Sequence, residues 1–306
     1  MKIGVDLLGS DTPPSALLEG VEHALAQLPA KATVVCFGAS PLKKISDRLL
    51  WVETDEEIRM EDPPLEAVRH KRNSSLHLGI EAVKKGEIDA FITAGNTGAL
   101  TALASIRLAL KEGVDRPCLL ATLPTMSGET AMVDVGASTQ LDPEHLLQFT
   151  TLGVDFLRKV KKIEHPKVAL LNIGVESMKG TAHHRQLFDT LKKREGDFVF
   201  VGNIEGKELF QGVVDLVVTD GFTGNVFLKA AEGMADFLLR EVKNSVDLET
   251  FSRLQSRFTQ EVSPGALLLG VNELILKCHG LSNAATLSGA ILRAYHFLSS
   301  AKRLEC

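Results

Sequence analysis

The sequence predicts an α/β protein built on a mostly parallel, doubly wound sheet, and three observations carry that prediction. Short apolar runs alternate with longer helix-like segments along the whole chain. The runs are not interleaved with polar residues, as befits strands covered on both faces. Small polar residues and glycines follow directly where several runs end, and ligands of open α/β sheets bind beyond the carboxyl ends of strands.

In chain order the expected strands are Ile3–Leu7, Thr33–Phe37, Ala90–Thr93, Cys118–Leu123, Val168–Leu171, Phe198–Val201 and Leu216–Val218. The expected helices are Pro14–Gln27, Ser74–Lys85, Gly98–Leu110, Pro143–Val160, Ala182–Lys193, Thr223–Lys243 and Ser282–Leu298. In the fourth of these, Leu146, Leu147, Phe149, Leu152, Phe156, Leu157 and Val160 recur at helical spacing. No repeat, linker or low-complexity tract breaks the pattern, so residues 1–306 read as one domain.

Composition excludes several classes. With 44% hydrophobic and 24% charged residues the chain is an ordinary globular protein, neither disordered nor fibrous. Its 39 acidic and 34 basic side chains give a net charge of −5, without the electrostatic footprint of nucleic-acid binding. Cys36, Cys118, Cys278 and Cys306 are far apart and lack metal-ligand spacing, so they read as small core residues or a free C-terminal thiol in a reducing compartment. No apolar run reaches the ~18 residues that span a bilayer. The opening residues look like a first strand rather than a signal peptide, which makes a soluble, cytoplasmic protein the default expectation.

Four turns at expected strand ends are rich in Gly, Asn and Thr: Thr93-Ala94-Gly95-Asn96-Thr97-Gly98, Asn172-Ile173-Gly174, Gly202-Asn203-Ile204-Glu205-Gly206 and Thr219-Asp220-Gly221-Phe222-Thr223-Gly224-Asn225. One such turn is ordinary turn chemistry; four favour a composite anion site made of backbone N–H groups and helix N-termini. The segment Arg69-His70-Lys71-Arg72-Asn73-Ser74-Ser75 places fixed cations before a helix that Ser74 or Ser75 could cap, giving a phosphate cradle or a solvated basic face. It lies one helix and one strand before the Asn96 turn, so the two could meet at one sheet edge. Asp220 could orient a donor or simply cap the next helix. Lys179 and Lys229 are further cations, and His279 could donate to an anion, act as general acid or base, or be structural. There is no P-loop, no GxGxxG after the first strand, no HExxH and no G-x-S-x-G elbow. Cations, amides and hydroxyls without an activated nucleophile suit phosphate as reactant or ligand.

These blocks, in this order, resemble the bacterial phosphate acyltransferases, which move a fatty acyl group from acyl carrier protein onto inorganic phosphate. The resemblance is carried by Pro64…Ala67-Val68-Arg69-His70-Lys71…Ser74-Ser75, Ala94–Leu100, Asp134-Val135-Gly136-Ala137, Pro143–Phe149, Leu171–Gly174 with Lys179-Gly180, Gly202–Gly206, Asp220–Asn225, Leu268–Asn272 and His279–Asn283. Departures from the family's usual pattern stand at Leu8-Gly9-Ser10-Asp11, Val175-Glu176-Ser177 and Pro264-Gly265-Ala266-Leu267. The resemblance implies a three-layer α/β/α fold akin to isocitrate and isopropylmalate dehydrogenases and phosphotransacetylase. It also implies a homodimer with no metal or organic cofactor, feeding a membrane glycerol-3-phosphate acyltransferase and touching the membrane peripherally.

A thioester is already activated, and phosphate is itself the nucleophile, so direct attack needs no acyl-enzyme. Phosphate binding falls to Arg69, Lys71 and Asn96–Gly98, with Ser74, Ser75, Thr97, Asn172 and Thr223 as further substrate contacts. Asn225 is the candidate oxyanion donor, Asp220 an orienting acid, and His279 or Lys179 the proton donor to sulfur. The acidic carrier protein would land on a basic patch at Arg69–Arg72, Lys159–Lys162 or Lys192–Arg194. The helix Phe227–Leu239, with Phe237, Leu238 and Leu239 adjacent, lines an acyl groove, forms a dimer interface or, most simply, packs in the core. Rival readings are an acyl-CoA phosphotransacetylase, a nicotinamide-dependent decarboxylating dehydrogenase, for which no aspartate cluster is evident, and a non-catalytic scaffold for carrier protein or membrane.

Overall fold

The structure, a computed structural model, describes residues 1–40, 46–139, 142–194, 196–262 and 265–304; Pro264 and Cys306 lie outside them. The chain forms two compact units, Met1–Lys111 with Ser263–Cys306, and Glu112–Val262, a division that no linker in the sequence marks.

The first stretch carries β1 (Lys2–Asp6), α1 (Pro14–Gln27), β2 (Thr33–Gly38), β3 (Leu49–Glu53), α2 (Pro64–His70), α3 (Ser75–Lys84), β4 (Ala90–Thr93) and α4 (Thr97–Arg107). The second unit holds β5 (Cys118–Thr125), β6 (Gly128–Val133), α5 (Pro143–Val160), β7 (Lys167–Leu171), α6 (Ala182–Lys193) and β8 (Val199–Ile204). It continues with α7 (Gly206–Leu209), β9 (Leu216–Val218), α8 (Gly221–Val242) and α9 (Leu248–Val262). The chain then returns to the first unit with β10 (Ala266–Leu269), β11 (Leu274–Lys277) and α10 (Ala284–Leu304).

In the first unit the strands run β3-β2-β1-β4-β11-β10, parallel except for β10, which pairs antiparallel with β11. In the second they run β5-β6-β9-β7-β8, parallel except for the β5–β6 hairpin. The fold is thus mixed α/β and mostly parallel, as expected. All seven expected strands and seven expected helices are present, with ends shifted by a few residues. Sequence reading passed over β3, β6, β10, β11 and the helices α2, α7 and α9. Two of those strands, β6 and β10, are the antiparallel partners that a strand–helix alternation does not announce.

The cores follow the apolar patterns. In the first unit Phe37 of β2 and Phe91 of β4 meet edge to face at 5.8 Å and are fully buried. In the second, Leu146, Phe149, Leu152, Phe156 and Leu157 form the buried face of α5. Core packing is not the use made of the α8 residues Phe237 and Leu238, which stand 55% and 47% exposed. They belong to a stripe with Phe222, Val226 and Met234, separated by steps of three, four and eight residues on the exposed side of α8.

Helix α10 closes the first unit against α1, and Gly20 sets their approach: a Cβ there would stand 2.6 Å from the Ala284 carbonyl oxygen. A backbone atom cannot rotate away as a side chain can. Gly20→Ala should therefore cost about 1–3 kcal/mol of stability by overpacking, outweighing the helix-propensity gain of about 1 kcal/mol. A lowered urea midpoint checks this, and an unchanged or raised midpoint would contradict it.

Candidate active site

Three neighbouring parallel strands of the first unit end on polar side chains. Thr93 of β4 pairs with Lys277 of β11, and continuing the β1–β4 register sets Asp6 level with Thr93. In-register residues of parallel strands share a face, so a carboxylate, a hydroxyl and an ammonium are gathered beneath the carboxyl rim. All are buried, with exposures of 2%, 0% and 7% for Asp6, Thr93 and Lys277.

The group is held by a connected set of hydrogen bonds. Thr93 Oγ1 donates to Asp6 Oδ2 at 2.8 Å, and the Gly95 amide donates to Thr93 Oγ1 at 3.0 Å. The Leu8 amide donates to Asp6 Oδ1 at 3.0 Å, and the Ser75 side chain hydrogen-bonds the same carboxylate. Lys277 Nζ donates to the carbonyls of Ala94, at 3.3 Å, and Cys278. Burial pushes the Asp6 carboxyl up to about 6, opposed by those hydrogen bonds and by the Lys277 charge.

Above this base the loops converge on the start of α4. Asn96 caps the helix, its Oδ1 accepting from the Ala99 amide at 3.0 Å. Its Nδ2 donates to the carbonyls of Arg59, Met60 and Asp62, each at 3.1 Å. Asp62 in turn pairs with Lys71, whose ammonium, followed by the Arg59 amide, holds the Asp62 carboxyl below the usual carboxylate range. Gly98 leaves room for Pro64, the first residue of α2, since a Cβ would lie 2.6 Å from its Cγ. The Asn96 turn and the Arg69–Ser75 segment therefore do meet at one edge. The first turn at Thr97 and Gly98 is half-buried and its amides precede the first intrahelical donor, Leu100, while Arg69 is exposed at the end of α2.

The remaining predicted residues of this unit have mixed placements. Ser74 is the cap of α3, accepting from the His77 amide at 3.4 Å, and is fully buried. Ser75 is buried on Asp6. His279 is exposed; its Nδ1 accepts from the Leu281 amide at 3.1 Å, so the neutral ring carries its proton on Nε2.

The second unit is organised in the same way. Asp134, wholly buried at the end of β6, accepts the amides of Leu119 and Gly136 at 3.1 Å and Ala137 at 3.0 Å, and the Ser138 hydroxyl at 2.6 Å. Burial raises its carboxyl above the usual range, opposed by these four bonds. The start of α8 lies directly on this loop. A Cβ on Gly221 would stand 2.2 Å from the Ser138 carbonyl oxygen, and one on Gly224 would stand 2.0 Å from that of Asp134. Asn225 Nδ2 donates one proton to the Val135 carbonyl at 3.1 Å. Asp220 caps α8, its oxygens taken by the amide and hydroxyl of Thr223 at 2.9 and 2.7 Å. On neighbouring β7, Asn172 accepts from the Ile173 amide and donates to the Lys179 carbonyl at 3.2 Å, fixing the backbone from which Lys179 reaches into solvent.

Sequence reasoning singled out the loops described above but gave no role to Asp6, Lys277 or Ser138, and took Thr93 and Asp134 only as members of larger motifs. The signal present was an acid closing a wholly apolar run, as in Ile3-Gly4-Val5-Asp6 and Ala131-Met132-Val133-Asp134. Of the expected basic patches, Lys159 and Lys161 are paired with Asp155 and Glu129, and Arg158 with Asp197. Arg69 and Arg72 are exposed and pair with no carboxylate among the described residues. Among those residues no three Asp, Glu, His or Cys side chains converge as a metal-ligand set would.

A mostly parallel sheet with helices between its strands places the chain in the class of open α/β proteins, whose ligands as a rule bind beyond the carboxyl ends of the strands. Solved structures agree at the level of fold. The chain is similar to a phosphotransacetylase from Streptococcus pyogenes (TM-score 0.62, 16% identity, 98% of this chain and 94% of that one). It is also similar to a branched-chain phosphotransacylase from Enterococcus faecalis (TM-score 0.61, 13% identity, 97% and 98%). The family described as fatty acid synthesis protein matches residues 1–302. Curated relatives named phosphate acyltransferase include that of Listeria innocua, 41% identical over 93% of this chain and 89% of the relative, and that of Chlamydia muridarum, 37% identical over 95% and 92%. The chain belongs to this family, the phosphate acyltransferases of fatty acid and phospholipid synthesis, and is an acyltransferase.

Asp6 gives the site a signed pH dependence. Its folded-state pKa lies above the ordinary 3.8, so the folded protein holds this proton more tightly than the unfolded chain and loses that advantage as pH rises through about 6. Relative to Asp6→Asn, the wild type should lose about 1–2 kcal/mol of stability from about pH 5 to about pH 8. Urea titrations of both proteins across that range measure it; parallel curves would show that Asp6 titrates normally.

Proposed function

We propose that this acyltransferase moves a long-chain fatty acyl group from acyl carrier protein to inorganic phosphate, releasing an acyl phosphate for phosphatidic acid and phospholipid synthesis. The observation that carries the reading is the first turn of α4, whose Thr97 and Gly98 amides precede the first intrahelical donor and whose Gly98 packs on Pro64, the first residue of the helix that ends with Arg69 exposed. Helix amides and a guanidinium together suit a phosphate dianion.

In this reading phosphate oxygen attacks the thioester carbonyl, the C–O bond forms, the tetrahedral oxyanion collapses and the C–S bond breaks, leaving a thiol after one proton reaches sulfur. Arg69 and the α4 amides hold the phosphate. Lys71, tied to Asp62, contributes charge from a fixed position, while Asn96 and Ser74 serve as helix caps and Ser75 supports Asp6. The second N–H of Asn225 is the oxyanion donor, its first being anchored on Val135. Asp220 and Thr223 hold the start of α8 that presents Asn225, and Asn172 holds the backbone of Lys179. The sulfur's proton comes from His279 Nε2 or from Lys179, and exchanging each for a neutral isostere separates them. Neither a metal nor an organic cofactor enters this chemistry.

The acidic carrier protein docks on His70 and Arg72, next to Arg69, whereas Lys159 and Lys161 already face carboxylates of their own. The enzyme acts in the cytoplasm as a homodimer, touching the membrane peripherally and delivering to a membrane glycerol-3-phosphate acyltransferase. The exposed apolar stripe of α8 supports an additional apolar contact of this kind. Among the described residues no helix is long and apolar enough to cross a membrane.

Incubation of the purified protein with long-chain acyl carrier protein should release carrier thiol only when phosphate is present, with acyl phosphate formed in equal amount. Release without phosphate would defeat the reading, and faster transfer from acyl-CoA would favour a phosphotransacetylase. Arg69 is exposed, so Arg69→Ala should fold normally and raise the phosphate KM about tenfold to a hundredfold, the value of a charge-assisted hydrogen bond. Wild-type kinetics in that variant would remove Arg69 from the site.

A further inference from the structure

We propose that Asp6, Thr93 and Lys277 are positioning residues of the transfer reaction, holding the Ala94–Asn96 backbone so that the first-turn amides of α4 face phosphate. The inference rests on the phosphate-transfer reading above. None of the three belongs to the exposed surface, yet together they set the turn that leads into the helix.

The geometry is specific. Thr93 bridges the buried carboxylate to the Gly95 amide, donating at 2.8 Å and accepting at 3.0 Å. Lys277 fixes the carbonyl of the same peptide, that of Ala94. The turn is thus gripped through one amide and the adjacent carbonyl, immediately before the Asn96 cap. Asp6 extends the same grip to the Leu8 amide, and Lys277 to the Cys278 carbonyl, so three rim loops share one base.

The composition of this base argues for a task beyond stability. A buried ammonium and carboxylate repay their desolvation only with good geometry, and apolar residues of similar volume commonly stabilise as well or better. Hydrogen-bond donors that are to meet an anion must be oriented before it arrives, and a rigid base beneath a turn provides that orientation. Positioning of this kind acts on ground-state phosphate affinity, whereas simple loss of packing lowers the amount of active enzyme and leaves KM alone.

The test is Thr93→Val beside Thr93→Ser. Valine matches the shape and removes the hydroxyl that joins Asp6 to Gly95; serine retains it. Thr93→Val should raise the phosphate KM about tenfold or more, with the acyl-donor KM within about threefold of wild type, and Thr93→Ser should stay within about twofold for phosphate. A folded Thr93→Val with the wild-type phosphate KM, or equal phosphate KM values in the two variants, overturns the proposal. Should the valine variant not fold, amide hydrogen exchange of the wild type decides: phosphate should slow exchange at Thr97 and Gly98, and unchanged rates there overturn it. If wild-type thiol release depends on phosphate while the Thr93 comparison fails, only the positioning role falls; unchanged exchange at Thr97 and Gly98 also removes the α4 amides as the phosphate site; and if release does not depend on phosphate, the functional reading falls first.

Discussion

A carboxylate taken out of water must have its oxygens occupied, and this requirement shapes both units. Asp6 and Asp134 each end an apolar strand, each is all but inaccessible, and each fills its oxygens from the loop that follows and from neighbouring segments. Leaving such a group unsatisfied costs several kcal/mol, so the loops have few alternatives to the conformation that supplies the donors. The acid is therefore a template on which the rim is cast. At both carboxyls burial outweighs the hydrogen bonds and pushes the group upward.

Above these templates, side chains and backbone divide the labour. Asn96, Asp220 and Ser74 spend their polar atoms on helix starts, Asn96 also on the carbonyls of residues 59–62, and Asn172 on the backbone of Lys179. What they leave facing outward are amides and a few cations. That arrangement suits a reactant supplying its own nucleophile, because the protein's part is to hold charge and resist rearrangement while charge moves. Gly221 and Gly224 complete it by letting the start of α8 rest directly on the backbone of the Asp134 loop, a closeness no larger residue permits.

Much of this was legible beforehand. Parallel strands buried on both faces leave an unmistakable apolar signature, and helices such as α5 a clear periodicity, so the architecture could be read directly, as could the loops proposed to meet the substrate. Strands β6 and β10 could not, since a hairpin partner adds an apolar run without the crossover helix that marks a parallel one. The roles of individual polar residues were harder still. Asn, Ser and Asp in a turn look alike whether they hold a ligand or a helix end, and only the hydrogen-bond partners distinguish the two. Asp6 and Lys277 were overlooked, and Thr93 was read only as part of a turn, because they close apolar strands and meet only across the sheet, at separations of 87 residues and more. Phe237 and Leu238 misled for the opposite reason, since large apolar side chains do not declare whether they face a core or open space.

The discontinuity of the first unit also governs how the protein is made. Strand β4 finds one neighbour, β1, early in the chain and the other, β11, only after the whole stretch Glu112–Val262 has intervened. On the ribosome the contiguous unit can settle while the other still waits for its last helix and two strands, with β4 holding an unpaired edge throughout. A nascent chain interrupted anywhere before β11 would therefore carry a half-built sheet with an adhesive border, covered only once that late strand has emerged.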